Sequence, residues 1–184
     1  GEPNSIFLEI FFKSLTKKYK SPLIIIVSKK LLIEQMKKLN FDYEIKEIDK
    51  NFYDFAKLNN KSINLINVEY KFQNPFGKIS YNSRSYIENC FKIGLEIIKK
   101  NKFSKFINGP ISKKHFLNKK TLGITEYLSK KTKKNNSVAM LIFNKKLSVS
   151  PITTHLALKD VHKHISKKKI YIHIKLINNF YKKR

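Results

Sequence analysis

Cysteine is almost missing from this chain. Cys90 is the only one in 184 residues, so no disulfide can form within the chain, as suits a reducing cytosol. It falls in a helix-like run and reads as a packed core thiol. Arginine is nearly as scarce. Of 39 basic residues only Arg84 and Arg184 are arginine, and the other 37 are lysine. With 13 acidic residues the formal net charge is +26, a balance that ordinarily points to nucleic acid or an anionic surface. Nucleic-acid readers favour arginine, whose planar fork fits phosphate and guanine bidentately, so its near absence argues against that class. Isoleucine (25), asparagine (18) and phenylalanine (14) are also abundant, and like lysine they are served by A/T-rich codons. Much of the charge is therefore read as genome bias. The lysines are scattered apart from short runs such as 130–134 and 167–169, and an attraction for anions, phosphorylated metabolites included, remains.

Long apolar runs are lacking too. Leu23 to Val27 and Val138 to Phe143 are far too short to span a bilayer, and no signal peptide is legible, so the expected location is cytoplasmic. There is no P-loop, no Gly-x-Gly-x-x-Gly, no Gly-x-Ser-x-Gly and no His-Glu-x-x-His. A dinucleotide, if bound, does not use the usual fingerprint. No internal repeat, low-complexity linker or domain boundary is visible, and residues 1–184 read as one unit. With 41% hydrophobic residues the chain is no disordered polypeptide.

What is present alternates between two periods. Helical spacing runs over Ser5 to Tyr19, Lys29 to Leu39 and Ser83 to Lys100; short helices are expected at Ser112 to Leu117 and Thr125 to Lys133, and Asp160 to Tyr181 is mostly helical. Strands are expected at Leu23 to Val27, Tyr43 to Ile48, Ile63 to Val68 and Phe103 to Ile107, with a hairpin of Ser137 to Phe143 and Leu147 to Thr154 about Asn144-Lys145-Lys146. Gln73 to Ile79 is a loop. The alternation predicts an α/β fold with a mixed sheet. No strand follows the last helix, so the fold is expected to be incomplete at the C-terminus. The chain opens on Gly-Glu-Pro, so the true N-terminus is expected to lie upstream.

Three segments hold residues able to do chemistry. Asn108-Gly109-Pro110-Ile111-Ser112-Lys113 leaves a strand and opens a helix: the glycine, the free amides and Lys113 form either an anion site or an ordinary turn. In Gly123-Ile124-Thr125-Glu126, Thr125 is either an N-cap or a hydrogen-bond donor to a substrate phosphate or carboxylate. In Pro151-Ile152-Thr153-Thr154-His155, a histidine stands where an apolar run ends, the kind of position from which α/β folds reach their ligands. His155 is either a metal ligand or a hydrogen-bonded structural residue. His162 and His164 are expected to face solvent. His115 and His173 show no partner, and Asp160 reads as a helix cap close enough in sequence to orient His155.

Taken together the segments resemble the 4-hydroxythreonine-4-phosphate dehydrogenase family of vitamin B6 biosynthesis. Gly1-Glu2-Pro3 resembles its Gly-Asp/Glu-Pro-Ala-Gly-Ile-Gly opening, Asn108 to Lys113 its Thr-Gly-Pro-x-x-Lys, Gly123 to Leu128 its Gly-His-Thr-Glu-Phe/Tyr-Leu, and Thr153 to Asp160 its Thr-Thr-His-Leu-Pro-Leu-Arg-Asp. The resemblance implies a three-layer αβα fold like isocitrate and isopropylmalate dehydrogenases, working as a homodimer with interface active sites. It implies NAD-dependent oxidation, then decarboxylation, of 4-phosphooxy-threonine, with a divalent metal (zinc, magnesium or cobalt) held by three histidines. By this match His155 is the first metal ligand and Thr125 a substrate contact. Ile124 replaces the family histidine, and the remaining metal ligands and much of the cofactor site are expected beyond Arg184, so the chain by itself is not expected to be competent. Two other readings stand beside it: a related dehydrogenase acting on another phosphorylated or carboxylated hydroxy-acid, and a basic, non-catalytic protein binding nucleic acid or acidic partners.

Overall fold

A computed structural model describes residues 1–51, 57–101, 105–117, 121, 123–133 and 138–182. The chain divides into two compact units, Gly1–Asn118 and Lys119–Arg184, where the sequence shows no boundary and a single unit was expected.

The first unit is built on a three-stranded parallel sheet in the order β1-β3-β2, with β1 at Ile24–Val27, β2 at Ile45–Glu47 and β3 at Ile63–Asn67. Ile24 lies opposite Asn64, and Ile45 opposite Ile63. The central strand is buried on both faces, so its residues read as a continuous apolar run rather than alternating. Asn64 is the polar exception. Its amide donates to the carbonyls of Leu23 (2.9 Å) and Asn59 (2.7 Å), tying the strand's start to its neighbours.

Helix α1 spans Phe7–Ser14 and buries Leu8 and Phe12. It stops short of the expected Tyr19 because Ser14 and Thr16 hydroxyls turn back to the carbonyls of Phe11 and Lys13, which competes with further helix. Helix α2 spans Lys29–Lys38 directly after β1; Ser28 caps it, and the Asn67 side chain at the end of β3 accepts from the Lys29 amide at 2.9 Å. Helix α3 spans Arg84–Asn101, entered through a 3-10 turn at Tyr81–Ser83, and buries Tyr86, Ile87, Phe91 and Ile97. The Tyr86 hydroxyl accepts from the Ser28 amide (3.1 Å), joining α3 to the end of β1. Of the strand expected at 103–107, residues 103 and 104 lie outside the described residues, and 105–107 are not strand.

The second unit holds helix α4 at Ile124–Lys131, a 3-10 segment at Leu158–His164 and helix α5 at Lys167–Lys182. The expected long helix from Asp160 is thus two pieces. Ile165 is extended between them, and the Ser166 hydroxyl restarts the helix by accepting from the Lys169 amide. The expected hairpin reduces, among the described residues, to one antiparallel bridge between Ile142 and Val149. Both residues are exposed, and a two-stranded pair with no buried face has little to hold it. Among the described residues the sheet is therefore parallel rather than mixed, and the α/β class stands.

Candidate functional site

In the first unit the opening Gly1-Glu2-Pro3 meets the Asn108–Lys113 turn. The Glu2 amide donates to the Pro110 carbonyl at 2.8 Å, and Gln35 of α2 clamps the opening by donating to the carbonyls of Pro3 (3.1 Å) and Pro75 (2.5 Å). Gly109 is buried, and a Cβ there would overlap the Phe7 ring of α1; a Cβ on Gly1 would lie 2.8 Å from the same ring. The close approach that glycine permits is thus made to Phe7, not held open for an anion. The segment continues only into a π turn at Lys113–Leu117, with Lys113 exposed. His115 does have partners: its Nδ1 lies 2.8 Å from the Ser112 hydroxyl, and its ring stands edge-on to Tyr81. Glu2 is 1% exposed, and neither carboxylate oxygen has a hydrogen-bond partner of ordinary geometry. Burial raises its pKa above the usual carboxyl range, against a smaller opposing pull from the Ser83 side chain.

The second unit contains a cleft of about 610 Å³. Thr125, Glu126, Ser129 and Lys130 of α4 line it, together with Pro151, Ile152, Thr154 and His155, and with Lys168, Lys169 and His173 of α5. Two residues singled out in the sequence, Thr125 and His155, therefore share one cleft. Ile124 does not line it. Thr125 is not the helix cap. Gly123 is, and the Thr125 hydroxyl is exposed in the first turn. His155 is exposed and holds a left-handed backbone, φ 58°, uncommon for a residue with a Cβ. Asp160 is not a cap: it sits inside the 3-10 segment, paired with Lys163 at 2.9 Å. His162 and His164 are exposed.

Three further residues shape the cleft. His173 is the buried residue of α5, and its Nε2 lies 2.6 Å from the Ser150 hydroxyl, which also bonds the Met140 carbonyl at 2.5 Å. This pins the segment leading to His155 onto α5. In the sequence His173 shows no partner; in the fold Ser150 is one. Glu126 sits at the third position of α4 and folds back over the N-cap, Gly123. A Cβ on Gly123 would stand 2.8 Å from Glu126 Oε2, which would have to shift, and 3.6 Å from His155 Nε2, an ordinary contact, so both side chains lie over that face of the glycine. Glu126 Oε1 takes a long bond, 3.5 Å, from the Thr154 hydroxyl, while Oε2 is buried with no partner. Among the described residues no group of three or more His, Cys, Asp or Glu stands ready for a metal, and no helix is long and apolar enough to cross a membrane.

A second cleft, of about 490 Å³, lies in the first unit beyond the carboxyl ends of β2 and β3, lined by Glu47, Asp49, Lys50, Asn67, Asn89 and Lys92 among others. None of the sequence segments contributes to it.

A model of the family described as pyridoxal phosphate biosynthetic protein PdxA matches residues 18–184. The chain is 35% identical over 188 residues to the 4-hydroxythreonine-4-phosphate dehydrogenase of Sulfurihydrogenibium sp. (strain YO3AOP1), covering 100% of this chain and 56% of that protein. Among solved structures, 4-hydroxythreonine-4-phosphate dehydrogenase from Klebsiella pneumoniae superposes with a TM-score of 0.78 at 22% identity, over 99% of this chain and 56% of its own. The enzyme of that name from Burkholderia phymatum gives 0.76 at 20% identity, over 95% and 54%. The chain thus spans about half the length of the relatives it matches, and their α/β fold with a parallel sheet is the fold seen here.

Proposed function

The chain belongs to the pyridoxal phosphate biosynthetic protein PdxA family, and on that premise we propose that the full-length protein carrying it is a 4-hydroxythreonine-4-phosphate dehydrogenase. In this reading the reaction is oxidation of the 3-hydroxyl of 4-phosphooxy-L-threonine, followed by loss of the carboxyl group as carbon dioxide; NAD, when bound, would supply the hydride acceptor. The observation that carries the reading is the meeting of Thr125 and His155 on one cleft. We read the protein as a cytoplasmic homodimer whose active sites are completed at the subunit interface.

The roles follow from the chemistry of each side chain. The exposed Thr125 hydroxyl donates to a substrate oxygen, and Lys130, Lys168 and Lys169 give the cleft a positive field that draws a phosphorylated substrate. His155 offers neutral imidazole to a divalent ion (zinc, magnesium or cobalt), and the orphaned Glu126 oxygen beside it makes the donor set one that such an ion fits. When bound, the ion supplies a Lewis acid that polarises the reacting oxygen. The remaining ligands come from outside this chain. No residue described here is assigned to NAD, and no step is derived through it.

The test is the full-length protein with NAD, a divalent metal and 4-phosphooxy-L-threonine, followed by NADH absorbance. NADH formation, and loss of bound metal in His155→Ala, are expected. No NADH with any of the three metals, together with unchanged metal content in His155→Ala, refutes the reading. Ile124 favours one variation: it stands where the family motif carries histidine and does not line the cleft, so a substrate contact is missing. A panel of phosphorylated and carboxylated hydroxy-acids separates a related dehydrogenase from the reading above by its preferred substrate.

A further inference from the structure

The cleft carries a positive excess that works against a cation. Lys130, Lys168 and Lys169 line it, and Lys168 and Lys169 sit in the first turn of α5, where the helix dipole is itself positive. A divalent ion beside His155 therefore needs a local negative charge. Among the described residues lining the cleft, Glu126 is the only acidic one. Its Oε2 is buried without a hydrogen-bond partner, an arrangement that costs free energy unless something else meets the charge. That atom and His155 Nε2 converge on the same face of Gly123, at 2.8 and 3.6 Å from the point where a Cβ would be. Thr154, the residue before His155, bonds the other carboxylate oxygen and so couples the two side chains.

We propose that Glu126 is a carboxylate partner of His155 in a divalent-cation site, with Oε2 facing the ion. The inference rests on the reading of His155 as a metal ligand. Glu126→Gln keeps the length of the side chain and an oxygen able to accept from Thr154, and removes the charge.

The experiment is a titration of the metal-free, full-length protein with Co²⁺, read by its visible absorption, alongside urea unfolding of the metal-free protein. Glu126→Gln is expected to weaken Co²⁺ binding about tenfold to a hundredfold, the range for groups that support a metal ligand, with an unchanged metal-free unfolding midpoint. Glu126→Asp, which keeps the charge, is expected to bind more tightly than Glu126→Gln. His155→Ala is expected to bind more weakly than either. If Glu126→Gln binds within twofold of the parent while His155→Ala does not, the proposal fails and the reading of His155 survives. If His155→Ala also binds as the parent does, both fail. A weaker affinity matched by a lower metal-free midpoint, or Glu126→Asp binding no better than Glu126→Gln, assigns Glu126 to structure and overturns the proposal.

Discussion

Replacing Gly109 with alanine tests whether the Asn-Gly-Pro turn serves packing or a ligand. The new methyl would overlap the Phe7 ring, and Gly109 is buried, so the ring or the turn must move. Forcing an extra carbon into packed surroundings costs about 1–3 kcal/mol. Backbone strain adds nothing to that cost, because no described glycine has a positive φ. For a unit of this size 1 kcal/mol corresponds to about 4 °C, so the expected fall in Tm is about 4–12 °C. The assay is thermal and urea unfolding of a double-mutant cycle with Phe7→Ala. Removing the ring opens the space, so Gly109→Ala in that background is expected to cost less than about 0.5 kcal/mol, leaving most of the single-mutant effect as interaction energy. Equal costs in both backgrounds would refute the packing argument. So would a Gly109→Ala protein of parental stability that has lost affinity for phosphate.

Two further outcomes follow from buried groups. Glu2 is held above the usual carboxyl range by burial, so the folded state prefers it protonated. Its contribution to stability is then fully present below the ordinary carboxyl pKa and is lost as pH rises through the raised value. Glu2→Gln is expected to raise the urea midpoint at neutral pH and to lose that advantage on acidification; an advantage independent of pH would sink the argument. Burial pushes the Cys90 thiol up to about 11, so almost no thiolate exists at neutral pH. Labelling by a thiol reagent is expected to be slow in the folded protein and to accelerate across the unfolding transition, and rapid native labelling would contradict the packed position.

The elements that sequence patterning located well are those marked by a local signal, an apolar run or a cap. β3 is a largely apolar run because both its faces are covered, β1 is an apolar run of four β-branched residues, and α2 begins at a serine that caps it. Long-range contacts were not legible. Nothing local tells that Gly109 packs on Phe7, or that Gln35 holds the carbonyls of Pro3 and Pro75. The same limit separates His155 from Glu126. The histidine ends an apolar run and stands out in the sequence, whereas the glutamate meets a neighbour 29 positions away, which a linear pattern does not encode. His173 was passed over for the same reason, since Ser150 lies 23 positions before it. The expected second hairpin strand failed in another way. The alternation of apolar residues was real, but no buried face in the second unit turned it into an extended ladder.

The backbone of His155 has a consequence of its own. Glycine or asparagine would sit at φ 58° with little penalty, while a histidine there raises the folded state by about 1–3 kcal/mol. Any two proteins that differ only at this position should therefore rank in the order a stability screen rewards, with glycine above histidine. Selection for thermal robustness alone would erase the imidazole, so on the reading of His155 as a metal ligand a thermostabilised descendant of this chain without it would fold better and hold metal less well.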